Sequence, residues 1–327
     1  MTYQEAKSAF EAIFSGTMEA EEAKSLLIAM YEAGESADEI RAAVEVMRSH
    51  SLKLPVPAEL EGKLIDNCGT GGDKSGSYNV STTVSILVAS IGCYVAKHGN
   101  RSITSKSGSA DMLEALGINL GLSPEQQATM LGETGFAFLF AQQYHPAMKH
   151  VMPIRKSIPH RTLFNLLGPM TNPADVTRQF IGVYDGDYTQ RVAEVLRDTG
   201  SVRAMVAHGM DGLDEISIGA VSRISELKNG EVTTYELDPQ AYGIKRADLD
   251  EISGGNAQEN AFITKSLLSG RTTGPKRDIL LLNAAASLMV DDKARDMKEG
   301  LEMAADAIDS GKAEAKLNQI IQVSAKL

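Results

Sequence analysis

Asp66-Asn67-Cys68-Gly69-Thr70-Gly71-Gly72-Asp73 follows the apolar pair Leu64-Ile65, and its reading decides how the rest of the chain is placed. Glycine turns after a short apolar run let backbone N–H groups point outward together, which makes a nest for an anion. Just downstream, Asn79-Val80-Ser81-Thr82 precedes the apolar Val84, Ile86, Leu87 and Val88. Polar residues ahead of such a run read as a helix start, whose orphan N–H groups would face the same pocket. Lys97-His98-Gly99-Asn100-Arg101 and Ser105-Lys106-Ser107-Gly108-Ser109 follow within the same span. Lys97 and Arg101 offer two permanent charges and Asn100 an amide, placed after a strand end, and Ser109 opens another helix. A phosphate cradle is the reading that accounts for all of these at once. Plain solvated turns would account for each one separately.

Outward from that span, the 327 residues exceed the ~250 to 300 at which a single core usually divides, so a large and a small domain are expected. Residues 1 to about 50 read as three short helices with apolar faces at Phe10, Ile13 and Phe14, at Leu26, Leu27 and Met30, and at Ile40, Val44 and Met47. Ser36 with Glu39 forms a capping box for the third. Leu52 to Pro57 is a Pro-bounded linker. Beyond Leu64, apolar runs at Cys93–Ala96, Phe136–Ala141, Phe180–Tyr184 and Ala204–Ala207 alternate with helical patterns at 81–90, 109–116, 124–133 and 189–198. That alternation predicts an α/β domain with a mostly parallel sheet flanked by helices. Asn229-Gly230 predicts an edge hairpin over Ser222–Leu237, and the nearly all-apolar Leu280–Leu288 predicts a buried helix.

Composition narrows the function. A net charge of −11 and the absence of Trp speak against a nucleic-acid surface of basic patches and stacking rings. Cys68 and Cys93 have neither zinc-site nor disulfide-framework spacing, no run is long enough to span a membrane, and the N-terminus has no apolar signal core. A cytoplasmic location, without membrane contact, is the expectation. Asp214-Glu215 follows the Ala204–Ala207 strand and puts paired carboxylates at a strand end, a donor set suited to Mg²⁺. His145 and Arg155 are placed on a helix predicted from Pro146 to Ile158, where an arginine can grip a carboxylate with two parallel bonds. A helix-terminal cation is the simpler alternative for Arg155.

Taken together, Gly69–Asp73, Asn79–Thr82, Lys97–Arg101, Ser105–Ser109, Thr162–Pro173 and Asp214-Glu215 resemble the anthranilate phosphoribosyltransferases of tryptophan biosynthesis, in the family's order and approximate spacing. The resemblance covers essentially the whole chain. It implies a nucleoside phosphorylase/phosphoribosyltransferase-like fold, with a small helical domain at 1–63 joined by a later helical segment near 146–178, and a large α/β domain at 64–327. It implies a transferase that moves the phosphoribosyl group of phosphoribosyl pyrophosphate (PRPP) to the anthranilate amine, as a homodimer paired through the helical domains.

By the same resemblance, PRPP is held by Gly69, Thr70, Gly71, Gly72, Asp73, Asn79, Ser81, Thr82, Lys97 and Ser109. Two Mg²⁺ ions are held by Ser81, Asp214 and Glu215. Anthranilate is lined by Gly69, His98, Asn100, His145 and Arg155. Lys97 and Arg155 act by charge and positioning, with no general base. Asn67-Cys68 departs from the two aliphatic residues many members carry there, and the Lys74–Ser77 loop is unusual. A pyrimidine nucleoside phosphorylase of the same fold family is the competing enzyme, and a nucleic-acid-binding paralogue the competing non-enzyme.

Overall fold

The structure is a computed structural model that describes residues 1–73, 75–102 and 106–327. Lys74 and Ser105, singled out above, lie outside the described residues.

The chain begins with α1 (Tyr3–Ser15), α2 (Ala20–Ala33) and α3 (Ala37–Ser49). Thr2 with Glu5 and Ser36 with Glu39 form capping boxes that satisfy the first N–H groups of α1 and α3. The expected apolar faces are buried: Phe10, Ile13 and Phe14 on α1, Leu27 and Met30 on α2, and Ile40, Val44 and Met47 on α3.

After the linker the chain alternates. It runs β1 (Leu64–Asn67), α4 (Val80–Ser90), β2 (Tyr94–Gly99), α5 (Ser109–Leu116), α6 (Pro124–Thr134) and β3 (Phe136–Phe140). Three helices come next, α7 (Ala141–Tyr144), α8 (Met148–Lys156) and α9 (Phe164–Met170). Then follow β4 (Arg178–Gly182), α10 (Tyr188–Asp198), β5 (Arg203–Gly209), and the hairpin β6 (Ser222–Lys228) and β7 (Glu231–Leu237). The chain closes with α11 (Ala257–Leu268), α12 (Pro275–Val290), α13 (Met297–Asp309) and α14 (Lys312–Ser324).

One sheet orders these strands β3-β2-β1-β4-β5-β6-β7. The first five are parallel, and the hairpin adds two antiparallel strands at one edge. On one face α4 and α12 lie against the sheet, with α5, α11, α13 and α14 closing a single apolar core around them. On the other face a second core joins α9 and α10 to the N-terminal helices and α8. Thus α8, distant in sequence from α1 and α2, packs on both of them.

Two boundaries differ from the expectation in ways that matter for the site. The second strand does not stop at Ala96: pairing with β3 from Val95↔Phe136 to Gly99↔Phe140 carries it through Lys97 and His98. Those polar residues are therefore in the strand, because the ladder to β3 outweighs their low strand propensity. The helix expected from Pro146 is shorter, and His145 stands outside it, at the C-terminal end of α7.

Candidate active site at the carboxyl ends of the parallel strands

The loops that leave β1, β2, β4 and β5 meet at one end of the sheet, where open α/β folds place ligands. The glycine turn after β1 is held in place from several sides. Thr70 N–H donates to the Gly182 carbonyl at 2.9 Å, and the Thr70 hydroxyl accepts from Tyr184 N–H at 3.1 Å. Gly71 N–H donates to Asp214 Oδ2 at 2.7 Å, and the Gly72 carbonyl accepts from the Arg161 guanidinium. Gly71 and Gly72 both have positive φ, which glycine adopts without steric cost. Arg161 also lies over the Tyr184 ring at 3.9 Å from its centroid. Sequence reasoning passed over Arg161 and Tyr184, since neither falls in a recognisable motif.

Lys97 is buried with 1% of its surface exposed. Its ammonium donates to the Asn67 carbonyl at 2.9 Å and to Ser81 Oγ at 3.4 Å, so the first turn of α4 and the end of β1 converge on one charge. Asn67, the departure from the aliphatic pair, is fully buried as well. Its amide donates to the Ser81 carbonyl at 2.8 Å and its Oδ1 accepts from Ser85 Oγ at 2.5 Å, which ties the end of β1 to α4. The neighbouring Cys68 thiol is pushed up to about 12, chiefly by burial, so it stays protonated and is no nucleophile.

Asp214 and Glu215 reach the same point from the loop after β5. Burial raises both carboxyls, Asp214 well above its ordinary value and Glu215 to about 8; Asp73 raises both further, while Lys97 and the Ser81 N–H favour the charged form of Glu215. Asp73 Oδ2 is buried and has no hydrogen-bond donor among the described residues. Acidic groups that crowd one another in this way fit a bound cation, and hard oxygen donors suit Mg²⁺. Among the described residues no three His, Cys, Asp or Glu side chains form a ready-made metal cage. The loop itself is anchored by Asn283 of α12, which donates to the Ile216 carbonyl at 3.0 Å and accepts from Ile216 N–H at 2.9 Å. A polar residue in an otherwise apolar helix was the signal for Asn283, and it was not read.

Asn79 caps α4 by position but not through its side chain. Its amide donates to the Ser107 carbonyl at 3.3 Å and its Oδ1 accepts from Asn260 at 2.8 Å, linking the starts of α4 and α11 to the loop before α5. Thr82 is buried in the first turn of α4. Ser109 is the first residue of α5 and not its cap, which is Gly108, and its hydroxyl donates to the Asn100 carbonyl at 3.1 Å. Arg101 does not add a charge to the cradle. Its guanidinium pairs with Asp111 and Glu114 of α5 at 2.8 and 2.6 Å.

Beside the cradle, His98 and His145 meet with ring centroids 5.0 Å apart. His98 Nδ1 lies 2.8 Å from the Gly168 carbonyl, a pure acceptor, so Nδ1 carries the proton. Its bare Nε2 then accepts from His145 Nε2–H at 3.2 Å. Burial pushes His98 down to about 4 and His145 to about 3, the latter helped by its neighbour, so both rings are neutral at pH 7. Arg155 stands in the last turn of α8 with its guanidinium 5.9 Å from the Phe164 ring centroid. Asn100 is exposed, with Oδ1 accepting from Gln142 at 3.4 Å.

Comparison with known proteins places this geometry. Residues 61–314 match the a/b domain of a glycosyl transferase family, and residues 1–51 match its helical bundle domain. Over 325 residues the chain is 48% identical to an anthranilate phosphoribosyltransferase of Rhodopseudomonas palustris, covering 99% of this chain and 95% of that protein. The chain belongs to the anthranilate phosphoribosyltransferase family. Among solved structures of anthranilate phosphoribosyltransferases, that from Thermus thermophilus superposes with a TM-score of 0.93 at 38% identity, covering 99% of this chain and 96% of the other. The Saccharomyces cerevisiae anthranilate phosphoribosyltransferase in complex with PRPP and Mg superposes with a TM-score of 0.89 at 27% identity, covering 100% and 94%. The same yeast enzyme in complex with 4-fluoroanthranilate gives 0.87 at 26% identity, with the same coverage. The helical domain followed by a mostly parallel α/β domain is thus the fold of anthranilate phosphoribosyltransferases.

Proposed function

We propose that this chain transfers the phosphoribosyl group of PRPP to the amine of anthranilate, releasing pyrophosphate, and that the site residues act as follows. The observation that carries the reading is the convergence of the glycine turn, Lys97, Ser81, Asp214 and Glu215 at one end of the sheet. The bond from the anomeric carbon to the pyrophosphate oxygen breaks and a bond from that carbon to the anthranilate nitrogen forms. Pyrophosphate leaves with the bonding pair, and the new nitrogen sheds its proton to solvent.

Positive charge spreads over the ribose ring as the bond breaks, and negative charge grows on the leaving group. The turn Gly69 to Asp73, the start of α4 at Asn79 to Thr82, Lys97 and Ser109 line the place of that leaving group and its phosphates, with Thr70 and Gly71 holding the turn through their N–H bonds to the Gly182 carbonyl and Asp214. Ser81, Asp214 and Glu215 would hold two Mg²⁺ ions, which when bound would supply further neutralisation of the negative charge that grows on the pyrophosphate. The anthranilate amine is neutral at pH 7 and needs placement more than deprotonation, so no side chain is assigned as a base. Gly69, His98, Asn100, His145 and Arg155 line its approach. Neutral rings at His98 and His145 suit this role, because an imidazolium there would repel the developing oxocarbenium charge.

The domains divide at 1–63, with the segment near 146–178 belonging to the helical part, and 64–327. The enzyme pairs through the helical domains and works in the cytoplasm. Among the described residues no helix is long and apolar enough to cross a membrane.

The test is the double variant Asp214→Ala with Glu215→Ala. It is expected to keep its circular dichroism spectrum and to lose Mg²⁺-dependent consumption of PRPP by at least ~100-fold, the scale of removing a preorganised electrostatic partner. A folded double variant with unchanged turnover and unchanged Mg²⁺ dependence contradicts the reading.

A further inference from the structure

β1 and β2 run as a parallel ladder at Leu64↔Tyr94 and Ile65↔Val95, whereas β1 continues to pair with β4 as far as Asn67↔Phe180 and β2 with β3 as far as Gly99↔Phe140. The sheet therefore opens between β2 and β1 just before the site. Two side chains fill the opening. Asp66, with no exposed surface, accepts from His98 N–H through Oδ1 at 3.2 Å and from the Asn172 amide through Oδ2 at 2.8 Å. Asn172, 2% exposed, donates also to the Ala96 carbonyl at 2.7 Å and accepts from Ala174 N–H at 2.8 Å.

These contacts replace main-chain ladder bonds that β1 no longer makes to Ala96 and His98, so the Ala96 carbonyl and the His98 N–H both keep a partner in the opening. They also fasten the turn after α9 to the sheet. That turn begins at Thr171, whose hydroxyl donates to the Leu167 carbonyl at 2.9 Å and so is tied to the last turn of α9, where the Gly168 carbonyl fixes the His98 ring. His98 is thus held twice: its main chain by Asp66, and its ring by a segment that Asn172 pins down.

We propose that Asp66 and Asn172 are positioning residues, a side-chain wedge that splits β1 from β2 and sets the place and tautomer of His98 on the acceptor side of the site. Neither touches a substrate. Lys97 keeps its hydrogen bonds to Asn67 and Ser81 whatever stands at Asp66, although the Asp66 carboxylate also attracts it, so the wedge acts chiefly on the anthranilate side. The inference rests on the proposed function in taking His98 to face anthranilate.

Asp66→Asn tests it without changing side-chain volume. An amide there must set its NH₂ against either the Asn172 NH₂ or the His98 N–H, so one hydrogen bond is lost in either orientation. The expected result is a rise in KM for anthranilate of at least ~10-fold with less than ~3-fold change in KM for PRPP, the scale of one bond to a charged group. Asn172→Ala removes the other half of the wedge, with its bonds to Asp66 and the Ala96 carbonyl, and is expected to give the same split between the two KM values. Unchanged anthranilate KM in Asp66→Asn, or equal losses for both substrates, overturns the proposal. Should Asp66→Asn not fold, Asn172→Ala carries the test: a rise in anthranilate KM of at least ~10-fold with PRPP KM within ~3-fold supports the wedge, and equal losses, an unchanged anthranilate KM or failure of both variants to fold overturns it.

A readout independent of turnover is the ring-nitrogen NMR of His98. It is expected to show Nδ1 protonated in the unmodified chain and mixed tautomers in Asp66→Asn, and a single unaltered tautomer overturns the proposal. If the unmodified chain shows no transfer, it is the functional reading that fails, while the NMR result still decides the wedge.

Discussion

In the proposed reaction, Arg155 is the side chain that separates anthranilate from the acceptors of other enzymes of the fold. It is half-buried, burial lowers its affinity for the proton from the ordinary guanidinium value, and its described neighbour is an aromatic face at 5.9 Å. A guanidinium withdrawn from water without a carboxylate is costly, and a ligand carboxylate would relieve that cost. Anthranilate carries its carboxylate ortho to the reacting amine, so a two-pronged grip on the one aims the other. Lysine keeps the charge and loses the fork. Arg155→Lys is therefore expected to raise KM for anthranilate at least ~10-fold while KM for PRPP changes little. The alternative, that Arg155 only complements the dipole at the end of α8, expects nearly silent kinetics. Steady-state rates with each substrate varied in turn separate the two; equal losses for both substrates would leave the carboxylate grip unsupported.

At the scale of elements, the site depends on how close the loop after β5 comes to the end of β4. A Cβ on Gly182 would lie 1.6 Å from the Asp214 carbonyl, and one on Gly69 would lie 2.7 Å from Asp214 Oδ2. The backbone at Gly182 cannot yield easily, because it pairs with Ala207 in the sheet, so the Asp214 loop must move instead. Gly182→Ala is thus expected to fold, with its sheet intact by circular dichroism, and to lose roughly 100-fold in kcat, as misplacements of about 1 Å do. Full activity in that variant would mean that the close approach of the two loops is incidental.

The same scale shows what was legible in the sequence. The glycine turn, the α4 start, Lys97, the Asp214-Glu215 pair, the edge hairpin and the three N-terminal helices could all be read, because local chemistry and periodicity coincide there. Three things could not. The extension of β2 through Lys97 and His98 is decided by pairing with β3, which no local pattern reports. Arg101 looked like a phosphate ligand until α5 brought Asp111 and Glu114 beside it. Asp66, Asn172 and Asn283 act through partners many residues away, and a single polar residue in an apolar run says nothing of which carbonyl it will meet.

At the scale of the whole molecule, the helical part reaches the catalytic end through α8, which packs on α1 and α2 and leads to Arg161 at the glycine turn. Its outer surface exposes Tyr31 at 44% and Met1 at 46%. The proposed pairing through these helices predicts a homodimer mass in light scattering at micromolar concentration, and a monomer mass there would count against it. The central claim concerns the transfer itself, and anthranilate fluorescence follows it directly. With folded protein, PRPP and Mg²⁺ together, the account predicts that fluorescence falls and that one pyrophosphate appears for each anthranilate lost, with neither change when any one component is left out. Folded protein that leaves anthranilate untouched in the complete mixture, or that instead splits a pyrimidine nucleoside with free phosphate, would contradict it.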